Sequence, residues 1–313
     1  MLDSGFSKFP SKSAAILVAD PMTLWENYYV AHSLAEALNI LQTAPEAARI
    51  IAGGTDLLLD IQQGRLAHTQ TLVDITGIGE LNELEIRGND LFIGAAVPLN
   101  KIIYSEIVQE HAQAIVEACS LIGGPQVRNI ATLGGNVAHA LPAGDGTIAL
   151  IAHNADAEVV DLNGRKRIAL EELFIGPGIS KLEANKELLM GFYLPLRDSG
   201  CASVFRRVMR PQGVAIAILN IAIWLRRKDN QIFDIRIAIG PSGPVPKRAL
   251  STEAVLRGSR YHEKALKKAA NALLNESKFR TSRHRATKEY RQKIAVNLLE
   301  DTLDNVWKQT QNL

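Results

Sequence analysis

Hydrophobic positions along this chain switch repeatedly between alternation and a helical repeat, a pattern that predicts mixed strands and helices. Ser33, followed three residues later by Glu36, reads as a capping box, and Leu34, Leu38 and Leu41 fall on one face of the helix it would start. That helix is expected to pack on the strand 48–52. Segment 71–75 is a further strand, and 84–87 and 91–93 form a hairpin around Gly88. Ser105 is placed to cap one helix in which Ile107, Val108, Ala112, Ile115, Val116 and Cys119 recur at helical spacing. Residues 1–20 show no clear period apart from Ile16-Leu17-Val18 and read as a loose lead-in.

Further along, Asn163-Gly164 between the runs 157–162 and 165–170 predicts a type I′ hairpin. A strand at 188–195 is closed by its proline. The texture then changes. Residues 196–213 carry Arg197, Arg206, Arg207 and Arg210 and a Pro211-Gln212-Gly213 turn, which reads as the approach to a second domain. Strands at 214–225 and 232–239, joined by the charged turn 226–230, open that domain, and Gly240-Pro241-Ser242-Gly243-Pro244 ends the sheet edge. Helices follow at 253–257, 263–274 and 288–307, the last with an apolar stripe of Ile294, Ala295, Leu298, Leu299, Thr302, Leu303 and Val306. The expected division is 1–198 and 199–313.

Composition narrows the function. With 313 residues, 47% of them hydrophobic and 22% charged, the chain can bury a large core in two domains. A formal net charge of +2 does not by itself imply a polyanionic partner. No apolar run reaches the roughly 18 to 20 residues of a membrane span, and no leader pattern opens the chain, so a cytoplasmic protein is expected. Cys119 and Cys201 are the only cysteines and form no C-x-x-C. Neither an iron–sulfur cluster nor a cysteine-rich zinc site can be built within one chain, and the two read as buried thiols. His111 and His139 stand alone, without metal-ligand spacing, and read as surface or satisfied histidines. No metal site is predicted.

Two glycine segments carry the chemistry. Ile51-Ala52-Gly53-Gly54-Thr55-Asp56-Leu57 ends a strand and enters a predicted helix; Gly123-Gly124-Pro125 begins a second stretch that continues to Thr132-Leu133-Gly134-Gly135-Asn136, Pro142 and Asp145. Paired glycines among small polar residues let a backbone come within hydrogen-bonding distance of a phosphate, and helix starts supply free N–H donors. Neither segment matches G-x-G-x-x-G or the P-loop, and neither contains a lysine. A pyrophosphate held by peptide N–H groups, Thr132 and Asn136 points to a bound cofactor more than to phosphoryl transfer. Taken singly, each segment reads equally well as a tight turn.

The order and spacing of these two segments, with Pro142 and Asp145 following, closely resemble the FAD-binding (medium) subunit of molybdenum hydroxylases, the flavoprotein family of xanthine and carbon monoxide dehydrogenases. The resemblance covers nearly the whole chain. It implies an α+β fold: a two-subdomain FAD-binding domain of the vanillyl-alcohol-oxidase/p-cresol-methylhydroxylase type, followed by a smaller domain of antiparallel sheet and helices. It also implies FAD as cofactor, with the diphosphate held by Ile51, Ala52, Gly53, Gly54, Thr55, Asp56 and Leu57 on one side and Thr132, Gly134, Gly135 and Asn136 on the other. Asp145 takes the place of an acidic residue that bonds the cofactor's sugar-alcohol hydroxyls; a solvated turn aspartate is the alternative. Leu189 corresponds to an apolar contact near the flavin and Ile122 to a pocket-lining residue, and both equally suit plain core. Where many relatives carry a lysine and a later aspartate, this chain has Arg206 and Arg207 and no aspartate.

The implied activity is a relay: a molybdenum-cofactor subunit oxidises substrate, a [2Fe-2S] subunit passes electrons singly, and FAD on this chain delivers them to NAD⁺ or another acceptor. No acid–base residue is named as catalytic. Two alternatives stand beside it. One is a self-sufficient FAD-dependent oxidoreductase. The other is a nucleic-acid-binding protein, because ten lysines and arginines lie between Arg257 and Lys293. Aromatic residues there are limited to Tyr261, Phe279 and Tyr290, which favours a solvated helical face or a surface for an acidic partner.

Overall fold

The computed structural model describes residues 24–44, 48–66, 69–210, 215–283 and 285–311. Residues 1–20 and the Pro211-Gln212-Gly213 turn, with the first residue of the strand expected at 214–225, lie outside them. The chain opens with β1 (Trp25–Val30), α1 (Leu34–Thr43), β2 (Ala48–Ile51), α2 (Leu57–Gln62) and β3 (Thr69–Asp74). Both β1 and β2 pair in parallel with β3, in the order β1-β3-β2. Parallel neighbours need a crossover, and α1 and α2 supply it. Ser33 caps α1 as expected, accepting from the Glu36 N–H at 3.2 Å, while the Glu36 carboxylate reaches the His32 N–H at 2.8 Å. Ala37, Leu38 and Leu41 are the buried face, packed with Val73 and Ile75. The strand β1 was not predicted: its residues are nearly all half-buried, so no alternation marks it.

Next come β4 (Leu84–Arg87), β5 (Asp90–Gly94), α3 (Leu99–Ile103), α4 (Glu106–His111), α5 (Gln113–Leu121), α6 (Pro125–Arg128), α7 (Leu133–Ala138) and α8 (Asp145–Ala152). The strands β6 (Asp156–Asp161) and β7 (Gly164–Ala169), the short pair β8 (Phe174–Gly176) and β9 (Ile179–Ser180), and β10 (Leu188–Pro195) complete this part. An antiparallel sheet of order β4-β5-β10-β6-β7 results. The almost wholly apolar β10 sits at its centre, buried from Leu188 to Leu194. Every residue of α8 is buried as well.

After Pro195 the chain forms β11 (Cys201–Val208), β12 (Leu219–Lys228) and β13 (Gln231–Gly240), an antiparallel sheet in that order, then α9 (Leu250–Leu256), α10 (Glu263–Glu276) and α11 (Lys288–Gln309). Alternation decides both faces of this sheet. Val204, Ile221, Ile223, Ile235 and Ile237 pack with Leu273, Leu299 and Leu303 of the helices. On the opposite face Phe205, Ala222 and Ala238 enter the core that contains α5 and α8. The apolar core therefore runs without a break from one part into the other. No described helix is long and apolar enough to cross a membrane.

Four local expectations are corrected. The helix expected from Ser105 is broken at Ala112 (φ −146°, ψ 54°) into α4 and α5. The new helix start is satisfied from far away, since the Ala114 N–H donates to Ser203 Oγ at 3.1 Å. The hairpin at 161–164 is not type I′: Gly164 has φ 137° and pairs with Asp161, and Asp161 Oδ1 accepts from the Asn163 and Gly164 N–H groups in an Asx turn. The turn expected at 226–230 is only Asp229-Asn230, with Asp229 at φ 53°. Arg226, Arg227 and Lys228 stay in the strand: Arg226 reaches Asp198 at 2.5 Å, Arg227 lies over the buried Trp307 ring at 4.3 Å, and Lys228 is exposed. The arginine-bearing approach, in turn, is itself the strand β11, whose first five residues are buried.

Candidate cofactor site between two glycine segments

The first segment begins where β2 ends. Buried Ile51 fixes the strand end, Gly54 turns the chain at φ 67°, and α2 starts at Leu57. The carbonyls of Gly54 and Asp56 accept from the Leu58 and Asp60 N–H groups, both at 2.9 Å. Among the described residues, the N–H groups of Gly53, Gly54, Thr55 and Asp56 have no hydrogen-bond partner. Four consecutive donors are left to something outside the protein chain.

In the second segment Thr132 is the N-cap of α7, accepting from the Gly135 N–H at 3.0 Å. The Gly134 N–H donates to the Ala95 carbonyl at 3.1 Å, and a Cβ on Gly134 would lie 2.4 Å from that oxygen. Asn136 Oδ1 accepts from the Thr147 N–H at 3.1 Å and so holds α7 against α8. The glycines thus divide their work. Gly134 lets the protein pack on itself, whereas exposed Gly135 has only Thr132 Oγ1, at 3.2 Å, near where a Cβ would stand.

The two segments meet at Gly53. A Cβ there would fall 2.1 Å from the Ile130 carbonyl oxygen and 2.8 Å from the Ala131 Cα, so backbone lies directly on backbone just before Thr132. Only glycine permits that approach. A second link joins the helices beyond. His139, at the end of α7, places Nδ1 3.4 Å from Asp56 Oδ2 and Nε2 3.7 Å from Asp60 Oδ2. Its contact with Asp56 raises the imidazole above the usual histidine range and lowers the Asp56 carboxyl.

Asp145 opens α8 but is not a solvated turn residue. Its carboxylate forms an ion pair with Arg207 of β11 and accepts from Asn220 Nδ2 of β12 at 2.5 Å. Asn220 Nδ2 also donates to the Ala143 carbonyl at 3.1 Å. Burial pushes the Asp145 carboxyl upward, and Arg207 and Asn220 oppose it. Arg206 turns instead to Glu117 at 3.2 Å, whose carboxylate also accepts from the Phe205 N–H at 2.7 Å. Leu189, the second residue of β10, lies opposite Val159 and packs in the core, and half-buried Ile122 packs against the same core.

Residues 22–197 match the family model of the FAD binding domain in molybdopterin dehydrogenase. The chain belongs to that FAD-binding family. The next 203–306 match the CO dehydrogenase flavoprotein C-terminal domain. This flavin subunit is 32% identical over 272 residues to the nicotine 6-hydroxylase medium subunit of Paenarthrobacter nicotinovorans, covering 87% of this chain and 93% of that one. It is 29% identical to the xanthine dehydrogenase FAD-binding subunit of Escherichia coli O157:H7, covering 85% of this chain and 90% of that one. A solved carbon monoxide dehydrogenase from Hydrogenophaga pseudoflava, in a form lacking the Mo-pyranopterin moiety, superposes with a TM-score of 0.85 at 29% identity, over 90% of this chain and 96% of that one. The protein is accordingly an oxidoreductase subunit of the FAD-binding, medium type found in molybdenum hydroxylases.

FAD is the cofactor of the flavin subunit, and the residues present fit it. The free donors at Gly53 to Asp56 are neutral peptide groups, Gly135 leaves the facing backbone open, and no lysine competes for the charge. Such a set suits a diphosphate that is held and not transferred. Sequence reasoning missed one neighbour of the site, Asn220. Asn220 was legible as the one polar residue inside Leu219-Asn220-Ile221-Ala222-Ile223. His139, which lies near the site in sequence and reads there as a surface or satisfied histidine, is paired by the structure with Asp56 and Asp60.

Proposed function

We propose that the flavin subunit holds the FAD diphosphate between residues 51–57 and the stretch Thr132, Gly134, Gly135 and Asn136. The close approach of Gly53 to the Ile130-Ala131 backbone carries this reading, because it sets the free N–H groups of one segment beside the exposed backbone of the other. Asp145 and Leu189 are assigned to the sugar-alcohol and flavin end of the same cofactor. The ion pair with Arg207 keeps Asp145 in one orientation, and burial keeps water from Leu189. FAD, when bound, links single-electron delivery to two-electron transfer. The chain's own residues bind and orient it, with no acid–base group required.

In this reading electrons reach the subunit from a [2Fe-2S] subunit that serves a molybdenum-cofactor subunit, and leave to NAD⁺ or another acceptor, in the cytoplasm. Free, buried Cys119 and Cys201 agree with a reducing compartment. A division at 198/199 is supported by the gap between β10 and β11 and by the edges of the two family matches.

The test is the visible absorption spectrum of the purified chain, with the released cofactor identified after denaturation. Flavin bands that disappear in Asn136→Ala and Gly135→Val variants of unchanged secondary structure are expected. A colourless chain that also fails to take up added FAD would overturn the cradle. Reduction of NAD⁺ by the co-purified complex tests the acceptor separately.

A further inference from the structure

Two carboxylates stand where the proposed cradle should repel its ligand. Asp56 is the N-cap residue of α2 yet makes no side-chain cap bond, and its side chain is 61% exposed beside the free donors of Gly53, Gly54 and Thr55. Asp60 follows one turn later. Opposite them α7 carries no titratable residue of its own from Leu133 to Ala138. Its end residue, His139, faces both acids, with one ring nitrogen toward each. Among the described residues, the remaining charge in the group is Arg65, which reaches Asp60 at 3.1 Å from the turn after α2.

We propose that His139 is a positioning residue for the cofactor: as an imidazolium bridging Asp56 and Asp60, it ties α2 to α7 and cancels acidic charge at the edge of the diphosphate cradle. The inference rests on the reading of residues 51–57 and 132–136 as that cradle. With His139 protonated, the charges of Asp56, Asp60, His139 and Arg65 sum to zero. Loss of the proton leaves one negative charge beside a dianionic diphosphate and removes the attraction between the helices. Opposite charge within this range favours the charged imidazole, while Arg65 works against it. FAD affinity should therefore fall as pH rises through the histidine range, where a cradle of neutral donors alone would show no step.

The experiment is FAD titration of the apo full chain, followed by flavin fluorescence, at about pH 6 and about pH 8.5. Wild type is expected to bind FAD on the order of tenfold more weakly at the higher pH. His139→Gln should bind weakly at both and lose the step. Adding Asp56→Asn to His139→Gln should restore affinity at both, because the repelling charge is gone. A purely structural tie would not be rescued in that way. Unchanged affinity and an unchanged pH step in His139→Gln, or a double variant as weak as the single, overturns the proposal. If Gly135→Val also leaves FAD binding untouched, the cradle reading itself has failed; if Gly135→Val abolishes binding, only the role of His139 has.

Discussion

Arg207 of β11 and Asp145 of α8 form an ion pair with each side chain only 6% exposed, 62 residues apart in sequence. The pair sits where the antiparallel sheet β11-β12-β13 meets the buried helix α8. It joins the sheet to the residue proposed for the sugar-alcohol end of FAD. Asn220 completes it from the neighbouring strand.

Arg207→Met is expected to destabilise the apo chain by about 3–5 kcal/mol, because it leaves a buried carboxylate without its cation. Combining it with Asp145→Asn should recover more than half of that loss. Urea unfolding of the single and double variants measures both. A single variant as stable as wild type would show that water reaches the carboxylate.

His153 gives the fold a pH limit. It is buried, with Nδ1 2.9 Å from the Ala149 carbonyl and Nε2 3.1 Å from Ser203 Oγ. The Ala149 carbonyl can only accept, so Nδ1 carries the ring proton, and in the neutral ring Nε2 accepts from the Ser203 hydroxyl, whose oxygen also accepts the Ala114 N–H. Burial pushes the imidazole down from the ordinary 6.5 to about 4, with Arg236 adding to the effect. A depressed folded value means that stability is complete above 6.5 and is lost as pH falls from there toward 4. Full protonation would cost roughly 3 kcal/mol. The denaturation midpoint should drop over that window in wild type and change less in His153→Gln.

Gly53→Ala and Gly135→Ala should separate packing from binding. The first forces a Cβ to 2.1 Å from the Ile130 carbonyl, so the segments must move apart, at a cost of roughly 1–3 kcal/mol, and FAD should be lost with them. The second meets only Thr132 Oγ1 at 3.2 Å, and stability should stay within about 1 kcal/mol of wild type. Thermal unfolding and bound-flavin content of the two variants check the contrast.

The N-cap of α11 offers a smaller effect. Thr287 Oγ1 accepts from the Tyr290 N–H at 3.2 Å, so Thr287→Ala should cost about 1 kcal/mol without altering flavin content. A larger loss in urea unfolding would mean that the Thr281–Lys288 contact, 3.0 Å from the Lys288 N–H to Thr281 Oγ1, fails with it.

What the sequence by itself determined was local and periodic. The capping box at Ser33, the apolar face of α1, the stripe of α11 and the nearly all-apolar β10 follow from spacing, because neighbours in sequence decide those hydrogen bonds and faces. The two glycine segments were legible for the same reason, since conformational freedom is a property of the residue. Their division of labour was not. Whether a glycine faces a ligand or another backbone depends on chain 77 residues away, as with Gly53 against Ile130. Only the tertiary structure broke α4 from α5 through Ser203, made the arginine-bearing approach into β11 by giving it β12 to pair with, and buried Asp145 behind Arg207 and Asn220. Each of these depends on a donor, acceptor or charge brought from a distant segment, and no local period records such a partner.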